Sequence, residues 1–92
     1  MTPDRLADLV GDLLSILRTG LHDVTWSRYR AVEEVISDLE HLRERIDEGD
    51  PPARRELKLL CAPTGVIDEI AISSGWAETW TKLVGKYRSE LR

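Results

Sequence analysis

Apolar residues recur at steps of three and four along most of the chain, the spacing that lines one face of an α-helix rather than one face of a strand. Leu6, Leu9, Val10, Leu13, Ile16 and Leu17 predict a first helix running to about Thr19. Thr2, Pro3 and Asp4 supply its start: a hydroxyl acceptor, a proline suited to the first turn, and a carboxylate near the positive end of the helix dipole. Gly11 permits close packing within that helix. Gly20 ends it, with Leu21 placed for a contact just beyond the turn.

Trp26, Tyr29, Val32, Val35, Ile36, Leu39, Leu42 and Ile46 continue the pattern as a longer helix, capped by either Asp23 or Thr25. Its remaining positions carry charges of both signs, as on a solvated face. Tyr29, Val32, Ile36, Leu39, Arg43 and Ile46 also approximate a heptad seam, which Arg43 interrupts. A helix docked inside a monomeric bundle and a homodimer seam give nearly the same pattern, and the monomeric bundle is favoured.

Gly49 closes the long helix, and Asp50 is the expected cap of the next. Pro51 and Pro52 then sit in the first turn, where a missing amide costs least. Ala53, Leu57, Leu60 and Cys61 give this short helix its inward edge. Pro63 and Gly65 break it, and Thr64 is the expected cap of a second short helix with Val66, Ile67, Ile70 and Ala71 inward. Asp68 and Glu69 place negative charge in its first turn. Ser73, Ser74 and Gly75 interrupt the pattern. Either Ser74 caps the last helix, or a serine hydroxyl kinks a continuous one. Trp76, Trp80, Leu83, Val84, Tyr87 and Leu91 form the final apolar stripe, with Glu78 and Lys82 in the favourable i to i+4 order.

These elements predict an all-α fold: a compact antiparallel bundle of about five helices, two longer N-terminal ones, two short ones and an amphipathic C-terminal one, in a single domain over 1–92. The best strand alternative, 66–72, is spoiled by the central Asp68 and Glu69.

Composition sharpens this picture in two places. A chain of 92 residues buries only roughly 60 to 65% of its unfolded surface, so each large aromatic counts. There are three tryptophans, two tyrosines and no phenylalanine; such rings serve either as core anchors or as hot spots at a recognition surface. The formal charge of -4 and pI near 5.1 oppose nonspecific binding to nucleic acid or anionic membrane and favour a partner with a basic surface. No apolar run is long enough to span a bilayer, and the N-terminus lacks a signal-peptide pattern. A single cysteine forms no internal disulfide, so cytoplasmic residence is expected.

Candidate chemistry is sparse. His22, His41 and Cys61 do not make a metal-ligand spacing. Cys61, Ser73 and Ser74 lack a local activating group, and Gly65 and Gly75 belong to no phosphate loop. The pairs Glu33 and Glu34, Asp47 and Glu48, and Asp68 and Glu69 diverge around a helix and read as solvated charge. Arg54, Arg55 and Lys58 are the one basic run, too short and too compensated to predict a nucleic-acid surface. The sequence therefore predicts a nonenzymatic protein-interaction module, an adaptor or regulatory subunit with no cofactor and no metal. Trp76 is the expected anchor in a partner's recess, extended by Trp80 and Tyr87. The competing reading puts all three rings in the core. An immunity or antitoxin protein that occludes a basic toxin is the alternative function, and a small enzyme the third.

Overall fold

The computed structural model describes residues 5–19, 22, 24, 29–63 and 65–91. Among these residues five helices follow in order: α1 (Arg5–Leu17), α2 (Val32–Asp47), α3 (Pro51–Leu60), α4 (Val66–Ser74) and α5 (Ala77–Lys86). No strand occurs among the described residues. Helix α1 packs along α2, α2 on α3, and α4 against α5. The radius of gyration of 12.4 Å is close to the roughly 12 Å expected of a compact domain of this length, so the all-α bundle is a packed one.

Helix α1 is the centre of the core. Leu6, Ala7, Leu9, Val10, Leu13, Leu14 and Leu17 are all buried, a broader face than the expected stripe, while Ile16 is only half-buried. Each buried leucine contributes about 1.5–3 kcal/mol of apolar burial, so this one helix carries much of the hydrophobic driving force. On α2 the inward residues are Val35, Leu39, Leu42 and Ile46. Arg43, which interrupts the seam, lays its guanidinium over Gly11 of α1, 3.5 Å from where a Cβ at Gly11 would stand. The glycine thus makes room for a charged side chain between α1 and α2 and does not bring two backbones together.

The start of α2 differs from the sequence reading. The helix begins at Val32, with Ala31 as an extended N-cap that contributes no side-chain bond. The Glu34 carboxylate instead reaches back and accepts the Arg30 N–H at 3.0 Å, satisfying one amide ahead of the first turn. Tyr29 is buried although it precedes the helix, so apolar spacing continued past the point where helical backbone stopped. Thr2, Pro3, Asp4, Gly20, Leu21, Asp23, Thr25, Trp26 and Thr64 lie outside the described residues, and the caps and contacts expected of them lie there too.

The far end of α2 closes as expected. Gly49 has φ +83°, and Asp50 N–H donates to the Arg45 carbonyl while Gly49 N–H donates to that of Ile46, the paired bonds of a left-handed helix stop. Asp50 occupies the N-cap position of α3, but its carboxylate makes no capping bond. Arg45 Nε donates to it at 2.8 Å, and the stronger charge-assisted bond wins over the expected cap.

Two further corrections concern α4. Its N-cap is Gly65 in extended backbone, and a Cβ there would stand 2.8 Å from the Ala62 carbonyl oxygen and 3.0 Å from that of Leu59. The glycine is required by close approach of backbone, not by an unusual φ. Ser74 does not cap α5. It is the last residue of α4, and Gly75 at φ +86° stops the helix. Gly75 N–H donates to the Ile72 carbonyl and Trp76 N–H to that of Ala71 at 2.9 Å, repeating the stop seen after α2. Trp76 is then the N-cap of α5 without a side-chain capping bond.

Candidate protein-interaction surface

The three aromatics of the last helix have different surroundings. Trp80 and Tyr87 are each 2% exposed, so their rings serve the domain's own interior. Trp76 is half-buried at the edge of the core. Its indole Nε1–H donates to His22 Nδ1 at 3.0 Å, and the rings meet edge to face at 5.8 Å. Because an indole nitrogen only donates, His22 Nδ1 must accept and the imidazole proton sits on Nε2. That proton faces the carbonyls of Thr19 at 2.8 Å and Ile16 at 3.0 Å. His22 therefore joins the end of α1 to the α4–α5 junction. Trp80 also packs edge to face with Trp76, at 6.5 Å.

Tyr87 closes the opposite end of α5. Its hydroxyl donates to Asp12 Oδ2 at 2.7 Å. Arg5 and Lys86 place their charges 5.2 Å from the ring centroid, and Arg5 pairs with Glu90 at 2.7 Å. Burial first, then the bond to Asp12 and the charges of Asp12 and Asp8, push the phenol up to about 12. These contacts tie α1 to the C-terminal turn.

Between these two anchored ends, α5 and the turn after α3 enclose an apolar groove. One lobe of about 200 Å³ is lined by Cys61, Pro63, Asp68, Trp80, Thr81, Val84, Gly85 and Arg88. An adjoining lobe of about 250 Å³ shares Cys61, Pro63, Val84 and Arg88 and adds Ala62 and Leu91. Cys61 is 5% exposed, and burial pushes its thiol from 9.0 up to about 12. It is an apolar floor and a poor nucleophile at neutral pH. His41 is exposed on α2, and neither it nor Ser73 nor Ser74 lines this groove.

The apolar periodicity of the last helix assigns Gly85 no role. It is exposed within α5, and a Cβ built on it would meet nothing within 4 Å. A glycine there costs about 1 kcal/mol relative to alanine with no gain in packing inside the chain. A lone glycine in an amphipathic pattern was the available signal, but only the tertiary structure shows it beside a groove. His22 and Asp12 were also missed as partners of Trp76 and Tyr87. Their separations of 54 and 75 residues leave no local signature.

The flanking surfaces differ in charge. Along α2, Glu33, Glu34, Asp38, Glu40, Glu44 and Asp47 are exposed, with Arg18 reaching Glu40 from α1 at 3.1 Å. A wide polar cleft between α1, α2 and the end of α5 holds Arg43, Arg18, Lys86 and Asp12, where Lys86 approaches Asp12 at 3.5 Å. Among the described residues, Leu59 and Ile72 are the large exposed apolar ones, at 74% and 62%; isolated cases of this kind are ordinary on protein surfaces. Among the described residues, no helix is long and apolar enough to cross a membrane, and no group of three or more His, Cys, Asp or Glu has the arrangement of a metal site. Compared with protein-family models, curated proteins and solved structures, the chain matches none.

Proposed function

We propose that the protein is a nonenzymatic protein-interaction module, an adaptor or regulatory subunit, whose recognition surface is the apolar groove between α5 and the turn after α3. The observation that carries this reading is the groove itself: a concave, largely apolar surface, floored by Cys61 and Trp80 and open along Val84 and Gly85. Such a surface suits the apolar side chains of another protein. Trp80 shapes the floor from inside. Trp76 keeps part of its ring at the surface and buttresses Trp80, while Tyr87 holds the end of α5 in place. The lone cysteine, enclosed as a thiol, suits the reducing cytoplasm.

The test is affinity purification at native expression level, comparing the wild type with Thr81→Arg. Thr81 is exposed on the groove rim, so the variant keeps its helicity while obstructing the groove. A partner recovered with the wild type and lost with the variant supports the reading; equal recovery sinks it. The exposed acidic flank of α2 supports a second reading, an immunity or antitoxin protein that covers a basic toxin. In that case the recovered partner is an enzyme that loses its activity in the complex and regains it when Glu40 and Glu44 are replaced by lysine.

A further inference from the structure

One end of the groove carries a charge opposite to that of the chain as a whole. Arg88 lines both lobes, is exposed, and has no ion-pair partner among the described residues. Arg5 and Lys86 are paired with Glu90 and Asp12, so among the described residues at this end Arg88 is the cation left to a visitor. Asp68 lines only the lobe that contains Trp80 and Thr81, which gives the groove an acidic end and a basic end. Gly85, on the same lining, leaves the α5 backbone uncovered: beyond its own stretch of helix, nothing lies within 4 Å of a Cβ position. Glycine in that setting suits close approach by another molecule.

Resting on the interaction-module reading, we propose that the groove takes an amphipathic segment of another protein. Its apolar side chains enter over Gly85 and Val84, and a carboxylate pairs with Arg88. The planar guanidinium favours a bidentate carboxylate bond. A second copy of α5 with the turn that follows it is the poorer occupant, because it brings its own Arg88 and Lys82 to the same rim and sets like charges together. The basic partner suggested by the overall charge belongs to α2, and the Arg88 end of the groove selects the opposite sign.

The test uses three synthetic amphipathic peptides of about 14 residues, roughly four helical turns, with identical leucine faces and polar faces of glutamate, glutamine or lysine. Binding is measured by the fluorescence of the native tryptophans and by calorimetry. The glutamate peptide is expected to bind about two- to fivefold more tightly than the glutamine peptide, as one exposed charge pair allows, and the lysine peptide most weakly. Arg88→Glu inverts that order. Gly85→Leu, which has space for its side chain and improves helix propensity, keeps or raises the melting temperature while abolishing binding of all three. Equal affinity for the three peptides, no binding by any, or undiminished binding by Gly85→Leu overturns the proposal. A cellular partner lost with Thr81→Arg while the peptides show no charge preference retains the module and rejects the acidic occupant.

Discussion

At the scale of single residues, the side chains that looked most available for recognition or reaction are largely committed to the fold. Trp76 satisfies its indole proton at His22, and His22 in turn satisfies carbonyls at the end of α1. Replacing Trp76 by phenylalanine keeps an aromatic ring but leaves Nδ1 without its donor, so a loss of about 1 kcal/mol is expected in urea unfolding. A double-mutant cycle with His22→Ala checks the cause, since the two losses should fall short of additive if the bond couples them. Cys61 illustrates the same commitment. With its thiol buried and pushed up to about 12, it should react with a thiol reagent at pH 8 only as fast as the domain opens, and at full rate in denaturant. Fast native labelling would show that the groove floor is not closed.

At the scale of elements, the glycines have opposite roles despite identical chemistry. Gly65 sits where three backbone oxygens lie 2.8–3.1 Å from a Cβ position. Alanine there must push the turn after α3 away from α4, with an expected loss of about 1–3 kcal/mol. Gly85 faces open space, and alanine there should add up to about 1 kcal/mol by helix propensity alone. Denaturant midpoints of the two variants should therefore move in opposite directions from the wild type. Equal destabilisation would mean that α5 around Gly85 is packed by something other than its own chain. The left-handed stops at Gly49 and Gly75 explain why α2 and α4 end so sharply, and why Ser74 is not needed as a cap.

At the scale of the whole molecule, two acids, Cys61 and Tyr87, hold their protons longer when folded. Cys61 moves from 9.0 and Tyr87 from 10.0, each to about 12. Burial disfavours the thiolate and the phenolate, and Asp12 adds both a bond to the neutral Tyr87 hydroxyl and repulsion of its anion. Between those values the unfolded chain has released protons that the native chain retains, so stability falls as pH rises. It is fully present below about pH 9 and declines through the range up to about 12. Urea midpoints measured from pH 8 to 11 should show that decline, and Tyr87→Phe should flatten its upper part while lowering the plateau through loss of the Asp12 bond. An unchanged slope in the variant would assign the alkaline loss elsewhere.

The all-α class, the five helices and most inward positions were legible in the sequence because they depend on local physics. Periodic leucines need a common face, proline fits a first turn, and glycine stops a helix. The start of α2 was not legible, because Tyr29 preserves the apolar spacing from outside the helix. Nor was the use of Asp50, whose capping position is local but whose carboxylate is claimed by Arg45. The candidate site belongs almost wholly to tertiary structure. Trp80 and Tyr87 read equally well as core or surface until α1 and α4 are packed around α5, and the bond from Tyr87 to Asp12 spans nearly the entire chain. The groove exists only because packing brings Cys61 and Pro63, after α3, together with Val84 and Gly85 of α5. Side-chain spacing determines which face each helix must bury; the space left between two buried faces depends on their distance and angle, which no local pattern specifies.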